Sequence, residues 1–335
     1  MLAWMKFCIC AALILYTGYK LSYYGDIICE KTSLTRSLMG FVFLSMATTL
    51  PELITSLGSI TIVDSPNLAA GNALGSILIN LMFIALLDLV QGKGALLYEV
   101  SIDHILSGAL CILTLTFMSL FIFLRSYLNV RLGFFNFGFD SLILLLIYGA
   151  GLRLMFGYSD KKEDKEKKDK ESLPSHKSIR LKAVVFRFSL CFIAIIFLAL
   201  WLAKIGDEIV EVMGWSEALV GTFFLALATS LPELIVSLTS LKFAVDMAIG
   251  NILGANFLDV MILPVCDIFF RRGEILSYVS SVHLITLLTA ILITTIVIIG
   301  LIYRSRRSFL RMGWDVIAII ATFLLGSYFL VIFKA

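Results

Sequence analysis

Ten apolar stretches, each about as long as a bilayer is thick, dominate this sequence. Of its 335 residues, 60% are hydrophobic and only 15% are charged, and the mean hydropathy is +0.98. A water-soluble domain has roughly 45–50% apolar and about 25% charged residues. Inside hydrocarbon the backbone must satisfy its own hydrogen bonds, so a segment of about 20 apolar residues crosses as a helix. The sequence therefore predicts an all-α polytopic membrane protein.

The ten predicted spans form two groups of five, separated by a charged run. That run, residues 160–171, reads DKKEDKEKKDKE, and its six acidic and six basic side chains cannot build a core. We predict a solvated, mobile linker at 159–180, between a first half at 1–158 and a second half at 181–335. The predicted spans are 3–24, 37–61, 68–91, 102–125 and 138–157, then 181–203, 217–241, 245–269, 277–302 and 314–333.

Lysine and arginine are unevenly distributed between the predicted loops. Ten spans place both termini on one side, and cytosolic loops carry an excess of basic residues. With the termini outside the cytosol, 20 of the 27 basic residues lie on the cytosolic side. We therefore expect an integral, multi-pass membrane protein with extracytosolic termini and a cytosolic linker.

The two halves repeat one another in sequence. Residues 40–59, GFVFLSMATTLPELITSLGS, match residues 221–240, GTFFLALATSLPELIVSLTS, at 13 of 20 positions. A second pair of blocks follows, GNALGSILIN at 71–80 and GNILGANFLD at 250–259. These blocks define a first motif region at 40–91 and a second at 221–270. Because each half has an odd number of spans, the second half enters the membrane upside down, an arrangement that favours a binding site near the midplane.

Each first block combines a proline with a carboxylate inside an apolar span. A proline in a helix leaves the carbonyl four residues earlier without its donor, here the carbonyl of Ala47 before Pro51. Thr48 and Thr49 precede Glu52 by four and three residues, so they share its helix face. The second half repeats this set with the carbonyl of Ala228, the hydroxyls of Thr229 and Ser230, and the carboxylate of Glu233. All are hard oxygen donors, the ligand type that Na⁺ and Ca²⁺ prefer.

The second blocks bring further polar groups onto one helix face. Asn80 lies four residues after Ser76, and Asp259 lies four after Ala255. Glycine pairs spaced four apart precede both and allow close helix packing, which we expect to bring Asn80 and Asp259 towards the two glutamates. Ionisable groups at membrane depth are costly and usually functional, so we interpret the set as a cation site.

Other polar residues of the motif regions have weaker signals. Asn72 and Asn251 are equally suited to bonding a neighbouring helix and to binding a ligand. Asp88 and Asp267 follow Asn80 and Asp259 by eight residues, near span ends, and we expect them to serve in packing rather than in ion binding. Four more aspartates near predicted span ends are expected to face water or lipid headgroups: Asp103, Asp140, Asp246 and Asp315.

At the doubled motif the chain resembles the calcium/cation antiporter superfamily, and within it the sodium/calcium exchangers. That family has paired inverted repeats that read roughly G-T-S-L-P-E, followed by G-N-x-x-G-S-N-x-x-N/D. The resemblance implies ten transmembrane helices in two inverted five-helix repeats, and exchange of Ca²⁺ for Na⁺ by alternating access. It implies four central acceptors, Glu52, Asn80, Glu233 and Asp259, with further ligands at Ala47, Thr48, Thr49, Ser76, Ala228, Thr229 and Ser230.

The sequence departs from the family pattern at three positions. Thr49 stands where serine is common and keeps the hydroxyl. Ile77 replaces an asparagine and Ala255 replaces a serine, so each second block lacks one polar group. The run GSILIN also resembles the calcium/proton exchangers of the same superfamily. Proton-coupled or potassium-coupled exchange of Ca²⁺ therefore stays open beside sodium-coupled exchange.

Other classes of function fit this sequence less well. A channel usually repeats one filter around an axis along its pore, whereas an inverted repeat favours a carrier. An intramembrane hydrolase needs a nucleophile beside a base or a pair of catalytic aspartates, and the histidines and serines form no such set. We expect no enzymatic activity and no cofactor. The expected partners are the transported Ca²⁺ and Na⁺ (or H⁺) and the lipid bilayer, with no nucleic acid and no obligatory protein partner.

Overall fold

Long apolar helices make up most of the fold in the computed structural model. The structure describes residues 2–31, 45–92, 95–128, 133–134, 137–166, 181–241, 245–305, 308–309 and 312–333. Its helices are α1 Leu2–Lys31, α2 Ser45–Thr48, α3 Leu50–Gly58, α4 Pro66–Gln91, α5 Leu96–Glu99, α6 His104–Leu128, α7 Phe139–Glu166, α8 Leu181–Met213, α9 Glu217–Leu219, α10 Ala226–Ser240, α11 Val245–Asp259, α12 Ile262–Phe269, α13 His283–Tyr303 and α14 Trp314–Ile332.

Short irregular elements connect these helices. Two π-helical segments, Ser59–Val63 and Val220–Leu225, extend α3 and precede α10, and a 3₁₀ turn spans Ile275–Ser277. Two antiparallel two-stranded hairpins complete the described structure, each immediately before a span. Their strands are β1 Gly133–Phe134 with β2 Phe137–Gly138, and β3 Ser308–Phe309 with β4 Met312–Gly313.

The structure confirms a multi-pass helical membrane protein. Within the described ranges, nine helical segments are long and apolar enough to cross a membrane. They coincide with nine of the ten predicted spans. The remaining predicted span, 37–61, lies partly outside the described residues, and its described part includes a shorter apolar helical stretch, Leu50–Val63. The ten-helix inverted repeat itself stays a prediction.

The charged run between the halves begins within a helix. Helix α7 continues to Glu166, so residues 159–166 of the predicted linker are helical, and the linker itself stays a prediction. Lysine and glutamate are good helix formers, and a helix that emerges from the membrane is extended by such residues at little cost. Residues 167–180 lie outside the described residues.

Helix burial divides the bundle into a centre and a periphery. In the third and eighth spans, α4 and α11–α12, 78% of the residues in the apolar stretch are buried, against 17% in α8. Helix α4 packs against the second-half motif helices α10 and α11. The outer helices α1 and α8 pack along each other. A helix that is apolar on all sides suits a central position, so the two second blocks lie at the core of the bundle.

Glycines allow the central helices to approach closely in the first half. A Cβ atom at Gly71 would lie 2.9 Å from the Cα of Gly221, and one at Gly75 would overlap the backbone of Thr222. Only glycine fits at such a contact between two backbones. The equivalent Gly250 contacts a side chain instead, with 3.1 Å between its hypothetical Cβ and Cε1 of His104. The close backbone approach expected from the glycine spacing is therefore present at α4.

The motif helices are interrupted at different places in the two halves. In the first half the helix is distorted at Thr49, although the N–H of Thr49 still bonds the carbonyl of Ser45, and Pro51 lies in the first turn of α3. In the second half α10 runs unbroken through Pro232. The third span is continuous, whereas its equivalent ends at Asp259 and resumes at Ile262.

Asp88 and Asp267 are bonded to backbone groups of both halves, as expected for a packing role. Asp88 accepts bonds from the N–H groups of Leu96 at 2.6 Å and Gly313 at 3.2 Å. Asp267 accepts the corresponding bonds from the N–H groups of Ile275 at 2.6 Å and Gly138 at 2.9 Å. Each carboxylate thus ties the end of a central span to the hairpin that begins the last span of the other half.

The expectation that Asp140 and Asp315 face water is wrong. Both side chains are buried, because the hairpins before α7 and α14 fold back against the bundle. Asp140 forms a salt bridge with the buried Arg125 at 2.5 Å, and Arg125 also pairs with Glu274. A buried carboxylate in this position is stabilised by a buried cation rather than by solvent.

Candidate functional site

The three predicted carboxylates lie together inside the bundle. Glu52 on α3, Glu233 on α10 and Asp259 at the end of α11 are each no more than 1% exposed. Glu233 lies close enough to both other carboxylates to interact with them electrostatically. The two halves of the sequence thus meet at one buried acidic site, although the residues are 181 and 207 positions apart from Glu52 along the chain.

The second blocks meet at their last residues. Asn80 donates a hydrogen bond from Nδ2 to Oδ2 of Asp259 at 3.3 Å, and both side chains are buried. These two residues occupy equivalent motif positions, so their contact lies where the two halves face each other. Asp259 and Glu52 also interact electrostatically, which places this pair beside the glutamates.

The first hydroxyl of each motif bonds back to its own helix. Thr48 donates from Oγ1 to the carbonyl of Ser45 at 3.1 Å, and Thr229 donates to that of Ala226 at 3.2 Å. The oxygen of a hydroxyl that donates in this way keeps its lone pairs for an acceptor role. Both groups are fully buried.

The second hydroxyls behave differently from each other. Ser230 donates from Oγ to Oε1 of Glu52 at 3.1 Å. The equivalent Thr49 has no hydrogen-bond partner for its Oγ1 in the described part of the chain. The predicted hydroxyl ligands are thus all buried; Ser230 bonds Glu52, and Thr229 and Thr48 lie beside the carboxylates of Glu52 and Glu233.

The remaining predicted ligands also lie inside the bundle or on its motif helices. Ser76 is fully buried on α4, and its Oγ has no partner among the described residues. Ala228 lies buried on α10, four residues before Pro232. Ala47 lies in the short α2, just before the break at Thr49.

Several acceptor oxygens at this site have no donor within the described ranges. A buried polar atom without a partner costs free energy, and such atoms usually mark an absent ion or water. No three His, Cys, Asp or Glu side chains in those ranges lie close enough to hold one ion by themselves. The oxygens without a donor are Glu52 Oε2, both Oε1 and Oε2 of Glu233, Asp259 Oδ1, Asn80 Oδ1, Ser76 Oγ and Thr49 Oγ1.

Asn72 and Asn251, which the sequence left open between two roles, bond the backbone of the two glutamates. Asn72 donates from Nδ2 to the carbonyl of Glu52 at 3.0 Å, and Asn251 donates to that of Glu233 at 3.4 Å. They support the site without belonging to the predicted ligand set. Their equal positions in the two GN pairs are the signal that indicates a shared role.

Asn256 is a polar residue near the site that the sequence analysis did not select. It is fully buried, and neither its Oδ1 nor its Nδ2 has a partner in the described structure. Its first-half equivalent is Ile77, an aliphatic core residue. Its position three residues before Asp259, on a neighbouring part of the same helix, could have identified it.

Two solved structures share this fold. The H⁺/Ca²⁺ exchanger CAX superposes with a TM-score of 0.68 at 14% identity, over 99% of this chain and 86% of that chain. The sodium–calcium exchanger NCX_Mj superposes with a TM-score of 0.55 at 19% identity, over 97% of both chains. At these identities the likeness shows the fold alone.

Sequence comparison identifies the family. The inner membrane protein YrbG of Escherichia coli (strain K12) is 26% identical over 272 residues, which cover 78% of each chain. The profile of the family described as "Sodium/calcium exchanger protein" matches residues 2–157 and 183–334. Since this match includes nearly all of both halves, the chain belongs to the sodium/calcium exchanger protein family, whose members are membrane exchangers rather than enzymes.

Proposed function

We propose that this chain is a secondary active antiporter that exchanges Ca²⁺ for Na⁺ across a membrane. The observation that supports this most strongly is the buried set of acceptor oxygens without donors, contributed by helices of both halves. The proposed ion ligands are Glu52, Asn80, Glu233 and Asp259, with oxygens of Ala47, Thr48, Thr49, Ser76, Ala228, Thr229 and Ser230.

The chemistry of the proposed ligands suits Ca²⁺. This ion takes six to eight oxygen ligands in flexible geometry, at about 2.3–2.6 Å. Carboxylate, carboxamide, hydroxyl and backbone oxygens all occur at this site. Glu52, Glu233 and Asp259 provide up to three negative charges, so one Ca²⁺ or several Na⁺ compensates most of the charge.

The charge of the site also supports coupled exchange. Three ionised carboxylates without a cation are costly in the low dielectric of a bilayer. The empty carrier therefore resists passage between its two facing states, whereas the loaded carrier passes readily. A ligand shifts such an equilibrium only by its differential affinity for the states, and this difference makes transport in one direction depend on an ion moving in the other.

Calcium/proton exchange is the second candidate. Ala255 is fully buried and supplies no hydroxyl at the position where Ser76 supplies one in the first half. A sodium site that takes ligands from both second blocks lacks this hydroxyl, whereas the binding of protons needs only the carboxylates. The proposed membrane orientation, with extracytosolic termini and a cytosolic linker at 159–180, is the same for both candidates.

Reconstitution in liposomes tests the proposal. The protein is reconstituted, Na⁺, K⁺ and pH gradients are imposed one at a time, and uptake of ⁴⁵Ca²⁺ is followed. We expect an outward Na⁺ gradient to drive uptake. Uptake driven by the pH gradient alone would identify protons, and not sodium, as the counter-ion. Uptake that needs no opposing cation would identify a channel.

A further inference from the structure

The last turn of α11, which carries Asp259, has weak support from its own backbone. The N–H of Val260 lies 3.4 Å from the carbonyl of Asn256. The N–H of Met261 bonds the carbonyl of Leu258 at 2.9 Å, three residues earlier rather than four. Helix α11 then ends at Asp259. A helix end of this kind has fewer regular hydrogen bonds to fix it, so the position of Asp259 depends on side-chain packing.

The side chain of Asp259 is also held by few contacts. Its Oδ2 accepts one hydrogen bond, from Asn80 at 3.3 Å, and its Oδ1 has no hydrogen-bond partner in the described part of the chain. That distance is longer than the usual value of about 2.9–3.0 Å. Asn80 itself lies within α4, which is continuous from Pro66 to Gln91. The two central residues thus meet from helices of different regularity.

Phe257 packs behind the turn that carries Asp259. Its side chain is fully buried. Its ring stacks on that of Tyr148 of α7, with 4.6 Å between the centroids and 28° between the planes. Residues two apart on a helix do not face the same side, so the ring contacts α7 while Asp259 contacts the site. A stacked aromatic pair stabilises a contact beyond the area that it buries. Phe257 therefore connects α7 to this turn.

Gly151 of α7 leaves the space in which the ring of Phe257 lies. A Cβ atom at Gly151 would lie 2.8 Å from Cζ of Phe257, well inside the optimal carbon–carbon separation of about 3.5–4.0 Å. Gly149 and Gly157 lie on the same helix, and a Cβ atom at either would meet nothing within 4 Å. Among these three glycines, Gly151 is the one at which the ring excludes a side chain.

The second half is built differently at the equivalent positions. The equivalent of Phe257 is Leu78, which is buried but has no ring. The equivalent of Gly151 in the last span is Gly326, and a Cβ atom there would overlap the side chain of Thr289 on α13. The aromatic contact thus occurs in the half whose central helix stops at the site, and the continuous α4 has leucine in its place.

We propose that Phe257 is a positioning residue for Asp259, and that its contact with Tyr148 and Gly151 makes α7 part of the support of the cation site. The ring fixes the last turn of α11 where the helix is interrupted. This inference rests on the proposed exchange function, in which Asp259 binds the transported ion. Without the contact, Asp259 moves relative to the other ligands and the ion binds less tightly.

Substitution of the ring tests the proposal through the affinity for Ca²⁺. The variants are reconstituted in liposomes, and half-saturating Ca²⁺ and the maximal rate of ⁴⁵Ca²⁺ uptake are measured. Phe257→Leu gives the position the residue of the other half. We expect half-saturating Ca²⁺ to rise about tenfold, with the maximal rate per folded protein nearly unchanged. Tyr148→Ala should raise it in the same direction, and Tyr148→Phe, which keeps the stack, should leave it at the wild-type value.

Leu78→Ala is the matched control. It removes the same number of side-chain carbon atoms as Phe257→Leu, two residues before Asn80 instead of two residues before Asp259. Both variants should lower the temperature of thermal unfolding in detergent, because both leave a cavity. Only Phe257→Leu should raise half-saturating Ca²⁺, since the continuous α4 holds Asn80 in place without the lost atoms.

A second set of variants approaches the contact from α7. Gly151→Ala places a methyl group against the ring, so half-saturating Ca²⁺ should rise. In a Phe257→Leu background the same substitution should have little further effect, because the ring is gone. Gly149→Ala and Gly157→Ala should resemble the wild type. Gly151→Ala also keeps the test available if Phe257→Leu does not fold.

Combination with Asp259→Asn shows whether the effect passes through the carboxylate. Phe257→Leu should add little to the rise in half-saturating Ca²⁺ that Asp259→Asn causes. A full additional rise in that background, or equal half-saturating Ca²⁺ in Phe257→Leu, Leu78→Ala and the wild type, would overturn the positioning role while exchange itself stands. Absence of Ca²⁺ transport by the wild-type protein under every imposed gradient would instead overturn the proposed function.

Discussion

The two halves have nearly the same motif but place their helix breaks in opposite blocks. In the first half the glutamate helix is interrupted at Thr49, and the asparagine helix runs unbroken past Asn80. In the second half the glutamate helix is unbroken through Pro232, and the central span stops at Asp259. A repeated sequence thus adopts two local geometries in one molecule.

One proline explains part of this difference. Pro264 has no N–H to donate to the carbonyl of Val260, the residue that follows Asp259. The first-half equivalent of Pro264 is Ala85, which has that donor. The break at Thr49 has no such sequence difference behind it, since Pro51 and Pro232 are equivalent. That second asymmetry accompanies a difference in packing, because Ser230 donates to Glu52 of the first half, whereas its equivalent Thr49 has no hydrogen-bond partner for its Oγ1 in the described part of the chain.

The largest expected effect comes from removing either glutamate charge. Glu52→Gln and Glu233→Gln each remove a buried charge that the proposed Ca²⁺ site needs, so each is expected to lower ⁴⁵Ca²⁺ uptake by about a hundredfold or more. The exposed Glu211 provides the control, and Glu211→Gln should transport like the wild type. Full exchange by both site variants would show that the glutamates are not the ion site.

Exchange of the central pair tests whether the halves are equivalent at Asn80 and Asp259. Asn80→Asp and Asp259→Asn each change the net charge of the site, and each is expected to lower uptake about tenfold. The double variant Asn80→Asp/Asp259→Asn restores the charge and the hydrogen bond, so it should recover most of the loss in the same uptake measurement. A double variant that is worse than either single one would mean that the two positions are not interchangeable.

A smaller effect is expected from restoring the hydroxyl that the second half lacks. Ala255→Ser gives that half the group that Ser76 gives the first, so half-saturating Na⁺ in sodium-driven uptake should fall about threefold. Ser76→Ala removes the hydroxyl from the first half and should raise it. Unchanged sodium dependence in both variants would favour protons as the counter-ion.

The smallest expected effect concerns the helix break after Asp259. Pro264→Ala supplies a donor for the Val260 carbonyl, so the free energy of unfolding in detergent should increase by about 1 kcal/mol. Thermal unfolding of the purified protein measures this change. Pro66→Ala is the control, because Pro66 begins α4, where no backbone donor is needed. A decrease in stability at Pro264 alone would mean that the break is required by packing.

Most of the membrane architecture could be predicted from the sequence. Hydropathy identified nine spans that the structure confirms. A long apolar segment must satisfy its own backbone hydrogen bonds in a bilayer, so it crosses as a helix. The doubled motif also identified the carboxylates that lie together, since it repeats the same polar residues in both halves. The extension of α7 to Glu166 was missed because charge pattern alone does not separate a solvated helix from a loop.

The finer geometry of the site was beyond the sequence. Equivalent residues such as Thr49 and Ser230 have the same chemistry, and only the packing of one conformation decides which of them bonds a glutamate. Burial of Asp140 and Asp315 depends on hairpins that fold back onto the bundle, and their proximity to span ends gave no sign of it. Asn256 is a similar case, because its lack of a partner depends on its neighbours in three dimensions.

Calcium counterflow tests most directly whether the two halves form one carrier site. Liposomes containing the protein are loaded with unlabelled Ca²⁺ or with none, and entry of ⁴⁵Ca²⁺ is measured without any other cation gradient. Internal Ca²⁺ should accelerate entry strongly, and Glu52→Gln or Glu233→Gln should abolish the acceleration. Entry of ⁴⁵Ca²⁺ at the same rate with and without internal Ca²⁺ would contradict an alternating carrier.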